Sequence, residues 1–90
     1  MTRDIRGKQF RHFKGGRYVV LHLAKHSEGE TEQVVYLSLD YGTIWVRRLS
    51  EWEEPTNRWP DGVTRSRFVL ESELPKNVLD LFLNVDEAAG

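Results

Sequence analysis

The chain has no cysteine. That excludes disulfides, cysteine-ligated zinc, iron–sulfur clusters and thiol nucleophiles together. It also lacks any apolar run near the ~18 residues that a membrane-spanning helix requires. The first residues, Met1 to Arg6, hold no apolar stretch of the kind a secretory signal carries. Repeats and low-complexity tracts are absent. A strong net charge is missing too: 13 basic and 14 acidic side chains leave −1, which is not the balance of a domain built for polyanions. What remains is 90 residues, 39% hydrophobic and 30% charged. That composition suits one folded, cytoplasmic, bacterial or phage-like domain. Its expected stability is about 5–13 kcal/mol. A large cofactor-binding enzyme does not fit in this length, and no cofactor is expected.

The charges are unevenly spread. Residues 1–25 carry Arg3, Arg6, Lys8, Arg11, Lys14, Arg17 and Lys25 against Asp4 alone. Residues 49–90 carry nine acidic side chains against Arg58, Arg65, Arg67 and Lys76. The basic segment either meets an anion or neutralises the acidic half of the same fold.

Alternation of apolar residues predicts strands over 17–25, 33–39, 43–48 and 63–70. Lys14-Gly15-Gly16 and Asp40-Tyr41-Gly42 supply the turns before two of them. The first three strands follow one another through short loops, as in an antiparallel meander. Ser50 and Glu53 have the spacing of a capping box, which suggests one helical turn over 51–54, ended by Pro55. Pro60-Asp61-Gly62 marks a further turn. In residues 75–87, Val78, Phe82 and Val85 share a helical face, although Leu79, Leu81, Leu83 and Val85 also alternate at strand spacing. Leucine content and the preceding acidic residues favour a helix. Its apolar face must be buried on the sheet or against another chain.

Several motifs stand in a definite order: Arg11-His12-Phe13-Lys14-Gly15-Gly16-Arg17-Tyr18, Ala24-Lys25-His26-Ser27-Glu28, Val34-Val35-Tyr36, Leu39-Asp40-Tyr41-Gly42 and Trp45-Val46-Arg47. Over residues 7–70 they resemble the bacterial domain-of-unknown-function family 1653. The resemblance implies a small SH3-like antiparallel β-barrel of about five strands, followed by a C-terminal extension over 71–90. It implies little about activity. Phe10 stands where the family has tyrosine, Arg48 where it has proline, and Trp52 near a usual phenylalanine.

His22 and His26 are four apart, but on a strand that places them about 13 Å from each other, too far to share a metal ion. No metal site is expected. A hydrolase would need Ser27 activated by His26 or His12, with Glu28 orienting the base. Lys14-Gly15-Gly16 leads into a strand and not a helix, so it is no phosphate loop of the nucleotide-binding kind. Aromatic rings beside cations suit anion binding and stacking, although Tyr36 and Trp45 would ordinarily be core in a domain this small. Trp45 and Arg47, two apart on a strand, share a face.

The expectation is a non-catalytic binding module. Its ligand, a nucleotide, nucleic acid or peptide, would be anionic or aromatic and held by His12, Lys14, His26, Glu28, Tyr36, Trp45 and Arg47. One alternative is an interaction protein acting as a homodimer or assembly subunit through Val78, Leu81, Phe82 and Val85. The other is the small hydrolase.

Overall fold

The computed structural model describes residues 4–29 and 31–89, with side chains as far as residue 83. In chain order the elements are β1 (Gln9–His12), β2 (Arg17–Lys25), β3 (Glu32–Ser38), β4 (Ile44–Arg48), α1 (Leu49–Trp52), β5 (Pro55–Thr56), β6 (Arg65–Ser66), β7 (Phe68–Leu70), a 3-10 turn over Glu71–Glu73 and α2 (Lys76–Ala89). β2, β3 and β4 form the meander that alternation predicts. Register runs from Tyr18↔Ser38 to Lys25↔Glu32 in one pair and from Leu37↔Ile44 to Gln33↔Arg48 in the next. β1 lies between β2 and β7, with Phe10 opposite Tyr18 on one side and Leu70 on the other.

The expected SH3-like barrel is not formed. The sheet order is β4-β3-β2-β1-β7, with β4 and β7 as unpaired edges, and β5 and β6 make a separate two-stranded ribbon. The architecture is an open, mainly β sheet with a C-terminal helix. Side chains, not a ladder, fill the space between the two ends of the sheet. Trp52, at the end of α1, stacks on Phe68 at 3.9 Å and meets Tyr36 at 4.9 Å. The indole thus lies between β7 and β3, and the edges β4 and β7 form no ladder with each other. The strand expected over 63–70 is likewise broken into β6 and β7. Arg67 lies between them, and its N–H donates to the Glu54 carbonyl at 2.8 Å. Nor does Ser50 cap α1, since Arg48 occupies the N-cap position with no side-chain cap.

Each face of the sheet has its own core. The inner face buries Ile5, Phe10, Val20, Val34, Tyr36, Trp52, Phe68 and Leu70. On the other face, Leu74, Val78 and Phe82 recur every fourth residue and pack with Trp59, Phe13, Val69 and Leu79. A spacing of four puts Val78 and Phe82 on one side of α2, and Leu74 joins them from the extended segment just before it. Pro75 accepts the Val78 N–H at 3.0 Å from just outside the helix, where its own missing N–H costs nothing. Full burial of side chains of this size contributes roughly 1.5–3 kcal/mol each. Glu71 secures the turn after β7 to β1, accepting from Gln9 Nε2 at 2.8 Å and Arg11 Nε at 2.7 Å.

Val78 and Phe82 are thus covered within their own chain and present nothing to a second copy. Leu81 is exposed, and the side chain of Val85 lies outside the described residues. Among the described residues no helix is long and apolar enough to cross a membrane.

Candidate functional site

At one end of the curled sheet the inner face opens into a cleft of ≈ 760 Å³. The size is ordinary for a small-ligand site. Tyr18, Tyr36, Ser38 and Phe68 form its floor; Trp45 and Arg47 come from the β4 edge, His12 from β1, Lys14 and Gly16 from the β1–β2 turn, and Tyr41 and Thr43 from the β3–β4 loop. Curling brings the two sheet edges together here. The Arg47 guanidinium, on β4, lies 5.5 Å from the Phe68 ring of β7. A second hollow of ≈ 480 Å³ shares His12, Lys14 and Arg47 and adds Arg58 and Arg67.

Among the described residues no carboxylate lines the cleft, although Glu54 lines the adjoining hollow. Five arginines of the described residues are neutralised locally, Arg6 by Asp4, Arg11 by Glu71, Arg17 by Asp40, Arg65 by Asp61 and Arg67 by Glu54, whereas Arg48 and Arg58 are not. Arg47 and Lys14 have no such partner among the described residues. Arg47 uses Nε to reach the Tyr36 hydroxyl at a long 3.4 Å, and its terminal nitrogens make no hydrogen bond among the described residues. Lys14 Nζ sits 5.9 Å from the Phe13 ring centre. Two cations without counter-charges beside aromatic rings are poised for an anion.

His12 stays neutral beside them. Burial pushes its imidazole down to about 4, and the charges of Arg47, Lys14 and Arg67 act in the same direction. Its Nδ1 accepts the Lys14 backbone N–H at 3.1 Å. The neutral ring therefore carries its proton on Nε2 and offers a donor. The floor hydroxyls are donors as well. Burial, with Tyr36 adjoining, raises the pKa of Tyr18 and keeps its phenol protonated. The oxygens of Tyr36 and Ser38 already accept from Arg47 and from the Tyr41 N–H, so their hydrogens are free to point into the cleft.

Five of the seven residues singled out in the sequence, His12, Lys14, Tyr36, Trp45 and Arg47, line this one cleft. Tyr36 is buried, whereas Trp45 is 52% exposed and offers its indole to solvent instead of the core. His26 and Glu28 lie elsewhere, beyond Lys25 at the far end of the β2–β3 hairpin. Seven residues separate Tyr18 from Lys25, roughly 23 Å of strand. There His26 Nδ1 lies 3.0 Å from the Glu28 carbonyl and 3.1 Å from its N–H, a contact that holds a turn. Among the described residues no hydrogen bond joins Ser27 to a histidine, and no group of three or more metal-ligating side chains occurs. Sequence reasoning left Tyr18, Ser38, Tyr41, Thr43 and Phe68 out of the site. The signal for two of them was available: Tyr18 and Ser38 alternate onto the same face as Val20 and Tyr36. Phe68 joins only through the curl.

The family described as "Protein of unknown function (DUF1653)" matches residues 8–70. A crystal structure of a DUF1653 protein from Bordetella bronchiseptica is similar at 29% identity, covering 80% of this chain and 94% of that one, with a TM-score of 0.63. No curated protein matches the chain. The matched span contains β1 through β7, hence every residue of the cleft, and stops before the 3-10 turn and α2. With these motifs in order, the chain belongs to the DUF1653 family.

Proposed function

We propose that this protein is a non-catalytic binding module whose cleft holds a ligand bearing an anionic group and a flat ring. The observation that carries this reading is the composition of the cleft wall. It presents two cations without counter-charges, hydrogen-bond donors from His12, Tyr18, Tyr36 and Ser38, an exposed indole, and no carboxylate. Such a wall accepts oxygen-rich anions and repels cations. Nothing in it forms a nucleophile–base pair, so the chemistry it supports is recognition.

The test is calorimetric titration with a panel of nucleotides, short oligonucleotides and acidic peptides at two salt concentrations. Affinity should fall with salt. Arg47→Ala should cost about 1.5–3 kcal/mol of binding, the worth of a hydrogen bond to a charged group, while the melting temperature stays within a few degrees. Arg47→Ala binding with unaltered affinity would end this reading.

A further inference from the structure

Resting on the cleft as the binding site, we infer that the anionic group of its ligand seats in the adjoining hollow, is an oxyanion of two or more charges, and is bound there by Arg58. The hollow shares His12, Lys14 and Arg47 with the cleft and adds Arg58, Arg67 and a single carboxylate, Glu54. Four cations against one carboxylate leave three positive charges in surplus. Glu54 is already engaged by Arg67, through the guanidinium at its carboxylate and the N–H at its carbonyl. Lys14, Arg47 and Arg58 therefore keep no local counter-charge among the described residues. The charges also converge. Lys14, Arg47 and Arg67 come from the β1–β2 turn, from β4 and from between β6 and β7, yet each lies near enough to oppose protonation of the His12 ring.

The uncharged groups of the hollow add donors. His12, accepting at Nδ1, offers its Nε2–H. Thr56 Oγ1 accepts the Arg58 N–H at 3.2 Å, so its own hydrogen is left to give. Acceptors are scarce enough that Arg67 Nε is buried with no hydrogen-bond partner among the described residues. Arg58 itself is held from behind. Its neighbour Trp59 is buried and donates Nε1–H to the Ser66 carbonyl at 3.0 Å, which fixes the backbone while the guanidinium stays exposed and unpaired. A fixed, unpaired cation beside two others is built for an incoming anion. A single carboxylate would leave most of the surplus unmatched. A phosphoryl group or paired carboxylates bring both the charge and enough oxygens for the forked donors of Arg47 and Arg58.

Isothermal titration of the full chain with inorganic pyrophosphate, citrate and acetate at low salt tests this. Pyrophosphate or citrate should bind at least tenfold tighter than acetate, and whichever is tighter separates a phosphoryl source from a carboxylate one. Arg58→Ala, at an exposed position where folding is not at risk, should weaken the tighter anion about tenfold, as the loss of a charged hydrogen bond does. Arg48→Ala removes an equally unpaired charge that lines neither cavity, and should change affinity less than twofold. In NMR spectra, saturation with that anion should move the ring signals of His12 and leave those of His22 and His26 in place. An indifferent Arg58→Ala, an Arg48→Ala of equal cost, unmoved His12 signals, or acetate bound as tightly as the others would overturn the inference. If binding then depends on Arg47 but not on Arg58, the anion sits in the cleft, and the cleft stands as the binding site. If none of these anions binds, the inference fails, and the cleft falls with it only when the panel of nucleotides, oligonucleotides and acidic peptides is silent too.

Discussion

The inner and outer faces of the five-stranded sheet are built from different materials. Inside, six aromatic rings meet edge to face or stacked: Phe10, His12, Tyr18, Tyr36, Trp52 and Phe68, with centroids 3.9–5.6 Å apart. Outside, α2 covers only the β1–β7 end, through Phe82, Val78 and Leu74. The β2–β4 end shows Val19, Val35, Leu37, Ile44 and Val46 without membership of either core. Ile44 and Val46 are 60% and 61% exposed. Aliphatic side chains cover a face but carry no donors. Aromatic ones with hydroxyls fill a core and still present polar edges. That difference is why the proposed site lies on the inner face and not on the outer one.

The sharpest way to break the comparison is Trp52→Ala. Trp52 is the keystone of the inner face, so its removal should destabilise the protein by about 4–5 kcal/mol, near the upper end for a buried aromatic, in urea unfolding. Ligand binding should vanish with it. Phe82→Ala attacks the outer face. It should cost about 3 kcal/mol, at the lower end of the same range because one neighbouring helix turn can settle into the gap. Ligand affinity of the cleft, measured by calorimetry, should change little. A loss of cleft binding equal to that of Trp52→Ala would show that the faces are not separable.

The third test sets acid against the inner face alone. His12 has a folded-state pKa near 4 against 6.5 ordinarily. Between these values the unfolded chain binds the extra proton, so stability falls as pH drops from about 6.5 toward 4 and levels off below. The full difference is at most about 3 kcal/mol. Arg47, Lys14 and Arg67 face the ring and oppose its protonation. His12→Gln should flatten this part of the pH profile, measured by urea midpoints at pH 4.5 and 7. An unchanged slope would mean that His12 titrates normally.

How far the sequence reveals this molecule depends on the residue. The meander is legible because β2, β3 and β4 are runs of β-branched, aromatic and leucine residues between glycine-containing turns, even though β2 shifts register between Val20 and His22. β1 is not, since Gln9-Phe10-Arg11-His12 has a single aliphatic-sized apolar residue to signal with. It is a central strand because Phe10 fills the inner core and Glu71, 60 residues on, satisfies Gln9 and Arg11. Trp59 gives no periodic signal in its turn-rich loop, yet it anchors the outer core and donates Nε1–H to the Ser66 carbonyl at 3.0 Å. Equally hidden is the place where Trp52 lands, between the two ends of the sheet. Histidine, serine and glutamate in a row at 26–28 look chemical in one dimension. A nine-residue strand then carries them away from the other candidates.

The β1–β2 turn has one further consequence. A Cβ on Gly15, whose φ is +98°, would stand 3.0 Å from the Phe82 ring, and one on Gly16 would stand 2.8 Å from the Tyr18 ring. The backbone of this turn therefore runs against the helix at one residue and against the cleft floor at the next, with room for a side chain at neither. The tightest corner of the molecule is thus the one place where a single added methyl group meets an aromatic ring on either face, Phe82 from position 15 and Tyr18 from position 16.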